Sequence, residues 1–121
     1  VIKNANLKSL SEISNETSVF AQKAKDNKLQ PTDWEGNTFT ISNLGMFGID
    51  DFTAIINPPD ACILAVGAIK QKPIVKDDII VPGHVMRLTL SCDHRIVDGV
   101  AGAKFLSTLK NMLESPLMMF C

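Results

Sequence analysis

His94 and Asp98 stand four residues apart in the run Ser91-Cys92-Asp93-His94-Arg95-Ile96-Val97-Asp98-Gly99. An imidazole is the natural general base near neutral pH, because its ordinary pKa lies close to that pH. The preceding run, Val85 to Cys92, alternates apolar and polar residues as a strand does, and a helical pattern follows from Asp98 to about Glu114. His94 is therefore predicted at a strand-to-helix junction, where a side chain is held firmly yet stays open to a ligand. Asp98 either caps that helix or braces the turn. A histidine at a strand end is more often an ordinary hydrogen-bonded residue, so the spacing by itself leaves both readings open.

A second group with chemical potential lies at Thr38-Phe39-Thr40-Ile41-Ser42, an alternating strand pattern that places three hydroxyls on one face. The glycines of Asn43-Leu44-Gly45-Met46-Phe47-Gly48 then permit a tight irregular loop. A hydroxyl at such a strand end can donate to a developing oxyanion, although hydroxyls on an exposed strand face are common. Cys92 is close enough in sequence to His94 to raise a thiol–imidazole pair. Against that, Cys62 and Cys92 fall in apolar strand-like runs, where a buried inert thiol is the default. With Cys121 the cysteines are three and widely spaced, which suits a reducing compartment and gives no zinc pattern.

The elements that must position these groups follow from periodicity. Val1 to Ala5 reads as a short strand. Ser9-Leu10-Ser11-Glu12 has the capping-box form and predicts a helix over about residues 9–27, with Leu10, Ile13, Thr17, Phe20 and Ala24 as its buried stripe. Residues 29–36 read as a turn-rich connection in which Trp34 anchors packing. Ala61 to Ala68 is nearly all apolar and too short for a buried helix, so it reads as a central strand covered on both faces. Lys70–Val75 and Asp78–Val81 form an edge hairpin around Lys76-Asp77, its pairing limited by Pro73 and Pro82. Pro116 ends the last helix. The tail, Leu117 to Cys121, is apolar and either tucks into the core or docks on another subunit.

The 121 residues carry 45% apolar and 21% charged side chains and a net charge of −1, which describes at most one globular domain. No basic stripe, no membrane-length apolar run and no signal peptide are expected, which disfavours nucleic acid and membrane as partners. The chain opens on Val1, as a processed or truncated chain does.

Taken in order, the segments Thr38 to Gly48, Ile55-Ile56-Asn57-Pro58-Pro59 and Asp93 to Gly99 resemble one family. They are similar to the catalytic domain of the dihydrolipoamide acyltransferase (E2) component of 2-oxo acid dehydrogenase complexes. The resemblance implies a chloramphenicol-acetyltransferase-like α/β fold, a two-layer sandwich with a mixed sheet and amphipathic helices at about 9–27 and 98–114. It implies that His94 is the general base toward the thiol of dihydrolipoamide or coenzyme A, both substrates, with no metal. It makes Asp98 mainly structural and Ser42 the donor to the tetrahedral oxyanion, with Asn43 and Gly45 as substrate-binding neighbours.

The same resemblance implies a homotrimer whose sites combine the histidine of one subunit with the serine of another. Trimers then build a hollow core partly through the apolar tail, with the lipoyl domain and the E1 and E3 components as partners. The chain corresponds to the C-terminal half of the catalytic domain, with Val1 near its middle and the lipoyl and peripheral-subunit-binding domains absent. The loop Leu44 to Ile49 resembles acetyl-transferring members most. Competing readings are a catalytically silent core subunit, a succinyl or branched-chain specificity, and a chloramphenicol-type resistance enzyme. The expected compartment is the bacterial cytoplasm or, alternatively, the mitochondrial matrix.

Overall fold

Ile63, Leu64 and Ala65 are apolar in succession, so a strand made of them must be covered on both faces. In the computed structural model, which describes residues 1–119, they form the buried centre of strand β2 (Cys62–Val66), at 5%, 6% and 2% exposure. Strand β1 (Thr40–Asn43) pairs parallel to β2, with Thr40 opposite Ile63 and Ser42 opposite Ala65. Strand β5 (Leu88–Cys92) pairs antiparallel on the other side, with Ala65 opposite Thr89 and Cys62 opposite Cys92. The result is the expected mixed sheet, three strands wide in the order β1-β2-β5.

Helix α3 (Gly99–Glu114) lies against β5 and forms the second layer. Its one buried residue is Gly102, where an added Cβ would sit 3.6 Å from Cys92 Sγ and 3.7 Å from a Leu90 methyl. The Phe105 ring meets Phe39, just ahead of β1, at 5.7 Å between centroids and a 47° tilt, a favoured aromatic geometry.

Strands β3 (Lys70–Lys76) and β4 (Ile79–Val85) form a separate two-stranded hairpin. Its loop is Asp77-Asp78, one residue later than the sequence suggested, with both residues at positive φ (51° and 61°) as a two-residue hairpin turn requires. Pro73 and Pro82 do not limit the pairing, because they face each other and neither deprives a partner of a donor. The long strand expected over Val85–Cys92 is split at Met86-Arg87, where the chain leaves the hairpin and enters the sheet.

The chain divides into two compact units, with the boundary after Thr38. The first unit holds helices α1 (Leu10–Lys25) and α2 (Pro31–Trp34). The α1 capping box is present: Ser9 Oγ accepts from the Glu12 amide at 3.3 Å and Glu12 Oε2 accepts from the Ser9 amide at 2.7 Å. No α1 residue is buried, however, and Leu10 is 73% exposed, so the expected buried stripe is at most half-covered. Trp34, at the end of the single-turn α2, is 53% exposed instead of anchoring the connection.

Val1–Ala5 is not a strand. Asn4 adopts a left-handed backbone that ends any extended run, and a 3₁₀ turn, Ala5–Leu7, follows. At the other end of the chain, Leu117, Met118 and Met119 are 80%, 57% and 50% exposed, so this part of the tail does not tuck into a core. The rest of the tail, Phe120 and Cys121, lies outside the described residues. No helix among the described residues is long and apolar enough to cross a membrane.

Candidate active site

The loop from Asp93 to Asp98 leaves β5 and enters α3, as the spacing predicted. Asp98 is the N-cap: its Oδ1 accepts the Ala101 amide at 2.7 Å, which satisfies one of the donors a helix start leaves open. This cap fixes where the helix begins and where the loop ends. At the other end of the loop Asp93 donates its amide to Ala61 O at 2.8 Å, tying the loop to β2. The Asp93 carboxylate is gripped by Arg95, whose Nε and Nη donate at 2.7–3.1 Å and whose backbone amide donates at 3.0 Å.

His94 lies between these two residues, exposed, and makes no hydrogen bond among the described residues. The Asp93–Arg95 clamp had no role in the sequence reading. Its only signal was opposite charge at a two-residue spacing, which is common in loops. The clamp holds the Asp93 carboxyl down to about 2, chiefly through the Arg95 side chain and then its amide. A carboxylate depressed in the folded state stabilises it fully above the ordinary value near 3.8, and that contribution is lost as pH falls toward 2. A carboxyl-carbon NMR titration should therefore place the Asp93 midpoint near pH 2, and Arg95→Ala should return it toward the ordinary value.

The serine group stands at the far end of β1. Thr40, Ser42 and the strand's inward face are half-buried while Ile41 points outward at 65% exposure, so this strand turns its hydroxyls, not its isoleucine, toward the interior. Thr40 Oγ1 donates to the carboxylate of Asp60, which is 5% exposed and roots the strand. Asp60 was missed because it directly precedes an apolar run, where a charged residue normally marks a turn. Asn43 Oδ1 accepts the Gly45 amide at 2.9 Å, an Asx turn that starts the loop. Gly45 packs against the backbone of Gly67, where a Cβ would come within 2.8 Å of the Gly67 oxygen. Both residues therefore shape the loop beside Ser42. Ser42 itself is half-buried, and its hydroxyl has no partner among the described residues.

The strand directions keep the two groups apart. Ser42 is level with Thr89 across the sheet, and β5 runs on from Thr89 to Cys92 before reaching His94. Three residues of strand cover about 10 Å, so the serine and the histidine sit toward opposite ends of the sheet in one chain. The thiol–imidazole pair does not form: Cys92 Sγ lies 3.5 Å from Cys62 Sγ, inside the sheet–helix layer. Burial pushes the Cys62 thiol up. Among the described residues no group of three or more His, Cys, Asp or Glu is placed to hold a metal ion.

The family model for 2-oxoacid dehydrogenases acyltransferase (catalytic domain) matches residues 1–121. The chain is 53% identical over 119 residues to the dihydrolipoyllysine-residue acetyltransferase component of pyruvate dehydrogenase complex of Rickettsia conorii, covering 98% of this chain and 29% of that protein. It superposes with a TM-score of 0.93 and 35% identity on a dihydrolipoamide acetyltransferase of Azotobacter vinelandii, studied for the part that a serine, a histidine and an asparagine play in its catalytic mechanism. A TM-score of 0.93 with 34% identity relates it to the cubic core of a pyruvate dehydrogenase multienzyme complex. In both solved structures the chain accounts for 98% of itself and 49% of the other. The chain therefore spans less than a third of the curated relative and about half of each solved chain. With the family model matched along residues 1–121, the chain belongs to the 2-oxo acid dehydrogenase acyltransferase family, in its catalytic domain.

Proposed function

We propose that this chain is the part of an acetyltransferase catalytic domain that carries the base and the oxyanion donor for transfer between dihydrolipoamide and coenzyme A. One observation carries the reading: among the described residues the Ser42 hydroxyl and the His94 imidazole have no partners, while Thr40, Asn43, Asp93 and Asp98 around them are all engaged. Support comes from the Azotobacter enzyme, where the serine, histidine and asparagine of mechanistic interest fall at the same intervals as Ser42, His94 and Asp98. Asparagine caps a helix as well as aspartate does, which fits a positioning role for Asp98.

A thiol of pKa about 8.5 is mostly protonated at neutral pH. His94 takes its proton as sulfur attacks the thioester carbonyl, the Ser42 hydroxyl donates a hydrogen bond to the resulting oxyanion, and collapse expels the second sulfur as a thiolate, which takes the proton from the imidazolium. Because the two side chains are set at opposite ends of the sheet, a complete site takes His94 from one subunit and Ser42 from another, in a homotrimer that builds a larger core. Exposed apolar residues flank both groups, Met46 and Phe47 by Ser42 and Ile96 and Val100 by His94, as surfaces buried on assembly do. The lipoyl arm is supplied by a lipoyl domain of the longer protein, which meets E1 and E3 components through further domains. The setting is the bacterial cytoplasm, in keeping with the Rickettsia relative.

The test uses the full-length protein. Ser42→Ala is expected to lower kcat by about 10²–10³. Co-expressing Ser42→Ala with His94→Ala chains should restore about a quarter of wild-type activity, since one site in four then joins an intact base to an intact hydroxyl across subunits. No recovery would mean that each site lies within one chain.

A further inference from the structure

Cys62 and Cys92 face each other across β2 and β5, and the surrounding ladder fixes what kind of pair they form. Asp93 donates to Ala61 at 2.8 Å and Gly67 donates to Arg87 at 3.0 Å, and both are directly opposed pairs in the same register. Opposed pairs alternate between bonded and non-bonded along an antiparallel ladder. Counting inward from either end makes Cys62–Cys92 a non-bonded pair, the class with Cα atoms only about 4.5 Å apart. A disulfide accepts Cα separations of about 4.4–6.8 Å, so the backbone already stands within range. The sulfurs are 3.5 Å apart, and the glycine at position 102 leaves them room on the helix side. Both thiols are free, and both are half-buried.

We propose that Cys62 and Cys92 are a dithiol modification site, oxidised by a hydroperoxide to a cross-strand disulfide at the base of the His94 loop. In the first step the peroxide O–O bond breaks and one sulfur gains oxygen, R–SH + H2O2 giving R–SOH and water. In the second the facing thiol attacks that sulfur, the S–O bond breaks, and R–SOH + R′–SH gives R–S–S–R′ and water. The peroxide takes up the electron pair that the two thiols lose. Because burial raises the Cys62 thiol, the reaction is slow beside that of an exposed thiolate, and an excess of peroxide is needed. The bond ties Cys92, two residues before His94, to the start of the central strand.

The experiment treats reduced full-length protein with hydrogen peroxide, blocks remaining thiols by alkylation, and maps peptides without reduction. The expected product joins the peptide containing Cys62 to that containing Cys92, is reversed by dithiothreitol, and forms about tenfold or more faster in folded than in urea-unfolded protein. Cys121→Ser should leave the yield unchanged. The proposal is overturned if either thiol runs on to sulfinic acid with the peptides unlinked. It is equally overturned if Cys62 or Cys92 links preferentially to Cys121 or to another chain, or if both remain alkylatable.

Discussion

Replacing His94 by alanine in the full-length enzyme is expected to lower kcat for acetyl transfer by about 10²–10⁴, the usual worth of a positioned general base. KM for both thiol substrates should stay within a few-fold, because the side chain is exposed and makes no hydrogen bond among the described residues. The loop is held by other residues: the Asp98 cap, the Asp93–Arg95 clamp and the Asp93–Ala61 backbone bond. Removing the imidazole therefore leaves the scaffold intact, and the loss appears in the rate and not in stability or native mass. Steady-state kinetics with acetyl-coenzyme A and dihydrolipoamide, beside a denaturation curve, separates the two. A variant of unchanged stability and unchanged kcat would refute the assignment of the base.

Gly67→Ala should produce the largest loss of stability. A Cβ at this position would lie 2.1 Å from Asp50 O and 2.8 Å from its carbon, with Arg87 O at 3.3 Å. These are backbone atoms, so no side chain can swing aside to relieve the clash. Around the same point Gly67 donates to Arg87 at 3.0 Å, and Ala68 to Ile49 at 2.8 Å. Moving the Ile49–Asp50 segment away breaks the second bond and disturbs the Gly45–Phe47 turn that follows Ser42. Overpacking of this kind costs about 3 kcal/mol or more, a large share of the ~5–15 kcal/mol that holds a domain folded. The denaturant midpoint should fall accordingly, and a loss below about 1 kcal/mol would show that the loop gives way freely.

How much of this was legible beforehand depended on whether the information was local. The Ser9–Glu12 capping box, the apolar run through Ile63–Ala65 and the Asp98 cap each depend on neighbours within a turn or a strand, and each reads directly. The burial of α1 depended on what lies alongside it, which the helix's own periodicity does not encode. The inward turn of Thr40 and Ser42 ran against the usual sense of an alternating strand, and it follows from the Asp60 carboxylate twenty residues on. Gly67 looked like one more small residue in an apolar run, because close approach of a distant backbone leaves no local mark. The separation of Ser42 from His94 followed from one parallel and one antiparallel pairing, neither of which has a signature within either motif.

That pair of strand directions has a consequence for how damage spreads through the proposed assembly. A chain with its hydroxyl at one end and its imidazole at the other contributes to two reaction centres and completes neither. One misfolded subunit then silences two neighbouring centres instead of one, each for want of a different half. Quality control in such a ring acts on activity with a multiplier, and mixed populations of sound and defective chains lose rate faster than they lose mass.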